Sequence, residues 1–301
     1  MANIFTPLFL LGVMRSGTTY FRNVLASNAQ IMSLGSELNR FWTMHGVPSG
    51  TVEVCAPLTA SDCVATTIEN VHNYFNQRYL SRNYPKALCY RAYRKLRYGN
   101  ETLVKNGSPF YLLNKSTHFQ NKIKFVDAVF PDAKFIFIVR DVYSQSYSLF
   151  KHFENDEKNG KYHACYPNQP GYCWSFYKKG KHNNPCGWGL ADLPRYWVEM
   201  NYLAMCDLNA VAKDRVLYID YTDVVNDLPV VLDRVAAFLQ TEQINKRVSS
   251  HLVNNQTTRP LLQWRDEFSA DQTSIIKDFI AENKAKYNYI QSCLKVVACQ
   301  V

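Results

Sequence analysis

The chain has 301 residues, of which 47% are hydrophobic and 20% charged, so it can bury a full core and is not a disordered polymer. Its formal charge of +9 favours anionic partners (nucleotides, sulfated or phosphorylated molecules, nucleic acid, acidic membranes) without choosing among them. Nine cysteines are scattered with no C-x-x-C pair and no close Cys/His set, which argues against structural zinc.

The first run, MANIFTPLFLLGV, is apolar but well short of the roughly 20 residues of a membrane span. It has no cationic leader or cleavage site, so it reads as a buried first strand. No other window reaches spanning length, and the expectation is a soluble, cytoplasmic protein with reduced, mostly buried thiols. PLFLLGV is the strand, and TTYFRNVLASN after it has the three-and-four spacing of a helix. Residues 74–97 are basic with interleaved tyrosines and no acid, either a patch for an anionic partner or a solvated helix face. Apolar β-rich runs follow at 109–115, 133–139 and 215–220, each leading into a helical pattern, at 117–130, 141–153 and 227–240. Residues 154–190 are rich in Gly, Asn, Pro, Lys, Tyr and Trp without a clear period, as a lid over an active site would be. Cys165, Cys173 and Cys186 fall in that stretch, leaving a disulfide or a metal there open. A last helix is expected over 271–287.

Strands alternating with helices predict one α/β domain over 1–301: a P-loop-type, mostly parallel central sheet flanked by helices, with an irregular lid at 154–195. Ligands in such sheets collect beyond the carboxyl ends of the strands. The loop at 12–19, Lys115, Arg140 and Tyr221 all fall at such ends.

The loop GVMRSGTT, Gly12 to Thr19, has the glycine spacing of a Walker A motif and follows a strand. Its backbone N–H groups and the helix behind it suit an anion. Position 18 is Thr where a triphosphate-binding loop needs Lys, and the only cation inside the loop is Arg15. The strand that would supply a Mg²⁺-holding Asp ends instead in IVRD, with Arg140 first. Such a site suits monoester phosphates held by side-chain cations rather than a metal-bound triphosphate.

GVMRSGTTYFRNVLASN, LGSELNR, LLNKS and FPDAKFIFIVRDVYSQSYS together resemble sulfotransferases that use 3′-phosphoadenosine-5′-phosphosulfate (PAPS) and release 3′-phosphoadenosine-5′-phosphate (PAP). The pattern is closest to tyrosylprotein and related bacterial sulfotransferases; it runs over residues 7–150 and returns at LYIDYTDVV, with Met14 where the family usually has Pro. The resemblance implies that Arg15, Ser16, Gly17, Thr18 and Thr19 cradle the 5′-phosphosulfate and that Arg140 and Ser148 hold the 3′-phosphate. It also places Tyr221 near the nucleotide, although a buried strand-end tyrosine is the plain alternative.

In-line transfer of SO₃ needs positioning, charge stabilisation and a base for the acceptor proton. The resemblance gives Lys115, with help from Arg15, the task of neutralising the leaving oxygen. For the base it offers Glu37, which aligns with a catalytic Glu after one inserted residue, and as runner-up His118, one residue off the phenol-type histidine. The implied chemistry needs no metal, and the implied partner is a small metabolite or natural product, not nucleic acid or membrane. Two other readings stay open: a P-loop kinase or NTPase, and a non-enzymatic binder of anions or nucleic acid through 74–97.

Overall fold

A computed structural model describes residues 5–28, 30–35, 37–48, 55–81, 89, 109–160, 162–166, 169–178, 187–241 and 261–298. In chain order these carry β1 (Thr6–Leu11), α1 (Thr18–Leu25), β2 (Ile31–Ser33), α2 (Asn39–Met44), α3 (Ala65–Leu80), β3 (Tyr111–Ser116) and α4 (Ile123–Val129). Then come β4 (Lys134–Val139), α5 (Val142–Lys158), the β5 (Tyr162–Cys165) and β6 (Ser175–Lys178) hairpin, α6 (Asp192–Leu208), β7 (Val216–Asp220), α7 (Tyr221–Asn226) and α8 (Leu228–Leu239). The chain closes with α9 (Trp264–Glu267), α10 (Ala270–Glu282) and α11 (Lys284–Ala298).

Five strands form one parallel sheet in the order β2-β3-β1-β4-β7. β1 is central because it is apolar at every inner position, and a strand covered on both faces gains from side chains pointing either way. Its alternate residues divide the core. Leu8 and Leu10 pack with Phe21, Val24 and Leu25 of α1 and Val231, Leu232 and Val235 of α8. Phe9 and Leu11 face the other side, among Phe75, Phe130, Phe135, Tyr196 and Trp197. The Phe9 ring alone meets those of Phe75, Phe119, Phe130 and Phe135 at centroid distances of 5.8–6.4 Å.

The chain leaves β1 toward β2 on one side of the sheet and leaves β4 toward β7 on the other, which opens a crevice at the carboxyl ends of β1 and β4. Gly12 is needed there for space: a Cβ on it would lie 2.6 Å from the Ile138 carbonyl oxygen and 2.5 Å from Ser16 Oγ.

Several expected boundaries move. The pattern over 117–130 yields a helix only at Ile123–Val129, because the segment before it is mostly buried polar residues (Thr117, His118, Gln120, Asn121, Lys122) with contacts of their own. The 227–240 pattern is preceded by a separate α7, capped by Asp220, and Asp227 caps α8 in turn. The short strand β2 was not anticipated. The expected 271–287 helix becomes two, α10 and α11, meeting at Asn283. The 154–190 region is less irregular than its composition promised, since it holds the end of α5 and the β5–β6 hairpin. Of the basic segment, 74–80 are the end of α3, while 82–88 and 90–97 lie outside the described residues.

The reduced-thiol expectation is corrected by a Cys55–Cys173 disulfide, 118 residues apart in sequence, and Cys165 is disulfide-bonded as well. Spacing could not reveal the first bridge, because Cys55 comes from a different segment of the chain. Cys186 lies outside the described residues. Among the described residues no helix is long and apolar enough to cross a membrane.

Candidate active site

The loop after β1 is shaped by its own bonds. Ser16 Oγ donates to the Val13 carbonyl at 2.7 Å, so this hydroxyl is spent inside the loop and its backbone N–H turns back there too. Gly17 has φ +91°, and a Cβ would stand 2.2 Å from the Tyr221 ring, so only glycine fits. Tyr221, the first residue of α7, therefore floors the loop directly; the Arg140 guanidinium lies over its other neighbourhood, 5.4 Å from the ring centroid. Thr18 and Thr19 open α1, Thr18 buried and Thr19 exposed.

Three side chains far from the loop in sequence clamp its backbone. The Met14 N–H donates to Tyr196 Oη at 3.0 Å, Gln145 Nε2 donates to the Met14 carbonyl at 2.7 Å, and Arg140 Nη1 donates to the Arg15 carbonyl at 3.2 Å. A proline at position 14 would carry no N–H, so Met14 creates a donor that a buried tyrosine answers. Arg15, in the left-handed region at φ +68°, donates from Nε to Ser148 Oγ at 3.1 Å. Arg140 Nε donates to Ser144 Oγ at 3.0 Å, and Trp197 Nε1 holds the Arg140 carbonyl at 2.8 Å. Arg15, Arg140 and Ser148 are thus one cluster. Asp141 caps α5, its carboxylate accepting from the Ser144 N–H at 2.9 Å.

A second cluster forms beside β3. Lys115 Nζ donates to Glu37 Oε1, Thr117 Oγ1 donates to the same oxygen at 2.8 Å, and Asn39 Nδ2 donates to Oε2 at 3.2 Å. His118 Nε2 lies 3.7 Å from Oε2. The segment bearing Glu37 is fastened on both sides: Arg22 Nη1 holds the Gly35 carbonyl at 2.8 Å, and Trp42 Nε1 donates to Asn114 Oδ1 at 3.1 Å, next to Lys115. Leu38 takes φ +56°, which turns the chain from Glu37 into α2.

Burial alone would raise the Glu37 pKa, but the charges of Lys115 and His118 and the hydrogen bonds from Lys115 and Thr117 outweigh it and hold the carboxyl down to about 2. Burial pulls His118 down to about 4; Glu37 opposes that shift, while Lys122 and Lys115 reinforce it. Its imidazole is therefore neutral near pH 7, and its Nδ1 is a buried atom without a hydrogen-bond partner among the described residues. Lys122 is fully buried behind it, donating to the His118 carbonyl, Asn121 Oδ1 and Cys55 Sγ at 2.7–3.4 Å, and burial lowers its pKa to about 7. Of the two candidate bases, Glu37 keeps some exposure and His118 sits behind it.

A cavity of about 560 Å³ opens from Glu37 along α2, lined by Leu38, Asn39, Arg40, Phe41 and Met44. Thr117, Asn39, Gln145, Tyr196 and Trp197 were not singled out from sequence. Thr117 and Asn39 flank residues that were, but nothing local marks the Tyr196–Trp197 pair inside an amphipathic helix.

Cys55 Sγ, Cys173 Sγ and a His118 ring nitrogen lie within 4.8 Å of one another, but both sulfurs are committed to the disulfide, so this group does not amount to a metal centre.

Comparison with known proteins gives the family. A family model described as "Sulfotransferase family" matches residues 7–245. No curated protein matches the sequence. Among solved structures, a mouse sulfotransferase complexed with PAP is 12% identical, covering 98% of this chain and 89% of its own, at a TM-score of 0.48. A sulfotransferase from Alicyclobacillus acidocaldarius is 13% identical over 93% of this chain and 97% of its own, at 0.46. The sulfotransferase domain from the curacin biosynthetic pathway is 16% identical over 92% and 98%, at 0.43. The family match spans the loop after β1, the Lys115 strand and the Arg140 helix alike, and with it the chain belongs to the sulfotransferase family.

Proposed function

We propose that this protein transfers the sulfuryl group of PAPS to a hydroxyl or amine of a small acceptor, releasing PAP. The observation that carries the reading is the Glu37–Lys115–Thr117 cluster: a carboxylate and an ammonium held together at the carboxyl edge of the sheet, where a base and a leaving-group cation are needed. The donor supplies an activated sulfuryl group already bonded to a phosphate oxygen. Its fit is supported by the glycine-restricted loop floored by Tyr221 and by the guanidinium–hydroxyl cluster of Arg15 with Ser148 and Arg140 with Ser144.

In the proposed reaction Glu37 takes the proton of the acceptor, whose oxygen or nitrogen forms the new bond to sulfur as the bond from sulfur to the 5′-phosphate oxygen breaks. Lys115, with Arg15 as the second cation named for this task, supports the charge left on that oxygen. A carboxylate with a pKa near 2 is a feeble base while Lys115 holds it. Drawing Lys115 toward the leaving oxygen loosens that hold, so the base strengthens when the donor is in place. His118 acts from behind as a neutral group that orients the carboxylate.

Metal-free chemistry and a small metabolite or natural product as acceptor complete the proposal. For the cellular setting we depart from the cytoplasmic expectation: disulfides such as Cys55–Cys173 persist in oxidising compartments, and we place the protein in one.

The test is a thermal-shift panel followed by turnover. PAP is expected to stabilise the protein without Mg²⁺, and PAPS to yield PAP only when an acceptor from a phenol, alcohol and amine library is present. Stabilisation by ATP that requires Mg²⁺, with none by PAP, would replace this reading with a P-loop NTPase.

A further inference from the structure

Between Lys115 on β3 and the start of α4 the chain runs through residues 117–122, and the two ends of this segment hold different things. At the near end Thr117 Oγ1 donates to Glu37 Oε1 at 2.8 Å, and His118 Nε2 lies 3.7 Å from Oε2. At the far end the segment is tied to a disulfide. Lys122 Nζ has three protons and three acceptors: Asn121 Oδ1 at 2.7 Å, the His118 carbonyl at 3.1 Å and Cys55 Sγ at 3.4 Å. Asn121 Nδ2 donates to the carbonyls of Cys55 at 3.2 Å and Gly171 at 2.8 Å, and the Asn121 carbonyl accepts from the Leu58 N–H at 3.1 Å. The Cys173 N–H closes the junction on the Cys55 carbonyl at 3.2 Å. Both bridge sulfurs lie within 4.8 Å of a His118 ring nitrogen.

Lys122 is fully buried, and each of these acceptors is neutral. A buried ammonium that no carboxylate answers lowers stability, and a methionine would fill the same space without that penalty. Packing alone therefore does not account for the charge. Its place does: the ammonium joins the bridge sulfur to the main chain of the residue beside Glu37.

We propose that Lys122 and the Cys55–Cys173 bridge form one positioning unit, which sets Glu37 through Thr117 and His118, so that transfer becomes fast only once the bridge has closed. The proposal rests on the sulfuryl-transfer reading above. Closing the bridge removes two electrons and two protons from the Cys55 and Cys173 thiols; a disulfide exchange partner takes them up and leaves as a dithiol. With the bridge open, the segment before α3 is released from the β5–β6 region, and the ammonium loses its fixed sulfur. The side chains that clamp Met14 and Arg15 in the donor loop include neither Lys122 nor the bridge, so donor affinity does not depend on the unit.

Single-turnover transfer from PAPS to an acceptor found in the phenol, alcohol and amine library tests this on the whole protein, with PAP affinity measured alongside. Retained PAP affinity shows that each form is folded. Lys122→Met is expected to slow transfer about tenfold at unchanged PAP affinity. Placed on Glu37→Gln, the same change is expected to slow it by less than about twofold, because the unit acts through that carboxylate. An equal loss in both backgrounds would make Lys122 a structural residue and overturn the proposal. Wild-type protein folded in dithiothreitol is expected to transfer as slowly as Lys122→Met and to recover its rate after treatment with oxidised glutathione. Cys55→Ser/Cys173→Ser, which leaves the Cys165 bridge in place, is expected to match the reduced protein. Full rate in that variant would remove the Cys55–Cys173 bridge from the unit and assign any effect of dithiothreitol to Cys165. If oxidised wild-type protein yields no PAP from PAPS with any acceptor, the transfer reading itself falls, which is a separate outcome.

Discussion

The two flanks of the candidate site are built differently. On the flank proposed to hold the nucleotide, Arg15, Arg140, Ser144, Ser148, Gln145, Tyr196 and Trp197 join one loop and two helices through hydrogen bonds, and Gly12 and Gly17 leave no room for a Cβ. On the flank proposed to meet the acceptor, Glu37 is fastened as tightly, but beyond it α2 offers Phe41 and a largely exposed Met44 to an open cavity. A flank that always meets the same molecule can be fixed by backbone geometry. One that selects an acceptor works through side chains on a short helix, where substitution costs the fold little.

The sharpest break in this comparison is at Glu37, on the acceptor flank. Glu37→Gln is expected to keep PAP affinity and to lower single-turnover sulfuryl transfer by about 10²–10⁴-fold. His118→Gln is expected to do much less. Normal turnover in the Glu37 variant with failure in the His118 variant would move the base behind the carboxylate. The same residue has a stability signature. Its folded pKa lies below its unfolded value, so its contribution is complete above about pH 4.5 and is lost as pH falls toward 2. Acid denaturation of Glu37→Gln should flatten in that window.

Next in size, Lys115→Ala is expected to cut turnover with little change in PAP affinity, because its charge counts as the leaving oxygen becomes anionic. Without Lys115 the Glu37 carboxyl rises from about 2 toward the ordinary range, so the acid limb of the pH–rate profile should shift upward. An unmoved limb would mean that Lys115 does not set the carboxyl.

The disulfide variant Cys55→Ser/Cys173→Ser probes the ground behind His118, where the bridge ties the β5–β6 region to the segment before α3. A native bridge is typically worth about 2–4 kcal/mol. The expected result is that loss in denaturant melts, with PAP affinity preserved; loss of PAP affinity as well would show that the two flanks are mechanically coupled.

The smallest effect falls on the nucleotide flank. Arg140→Ala removes a charge-assisted contact worth about 1.5–3 kcal/mol and should erode the preference for PAP over AMP without lowering AMP affinity. Ser148→Ala should act in the same direction, more mildly. If both nucleotides weaken equally, Arg140 serves the loop through the Arg15 carbonyl rather than the phosphate.

Sequence alone determined the sheet and its loaded edge. The alternation of apolar runs and helical patterns located β1, β3, β4 and β7, because burial on both faces writes itself as continuous hydrophobic stretches. Local chemistry likewise marked the loop at 12–19, Lys115, Arg140 and Tyr221, since a strand end is legible from its own residues. Only the tertiary structure decided that Glu37, Lys115 and His118 meet, that Arg15 turns to Ser148, that Tyr196 answers the Met14 N–H, and that Cys55 bonds Cys173. These contacts join residues between 78 and 182 positions apart. Periodicity reports which face of an element is buried; it does not report which distant element covers that face. The partner of a buried polar atom is fixed by packing, and packing is a property of the assembled layers.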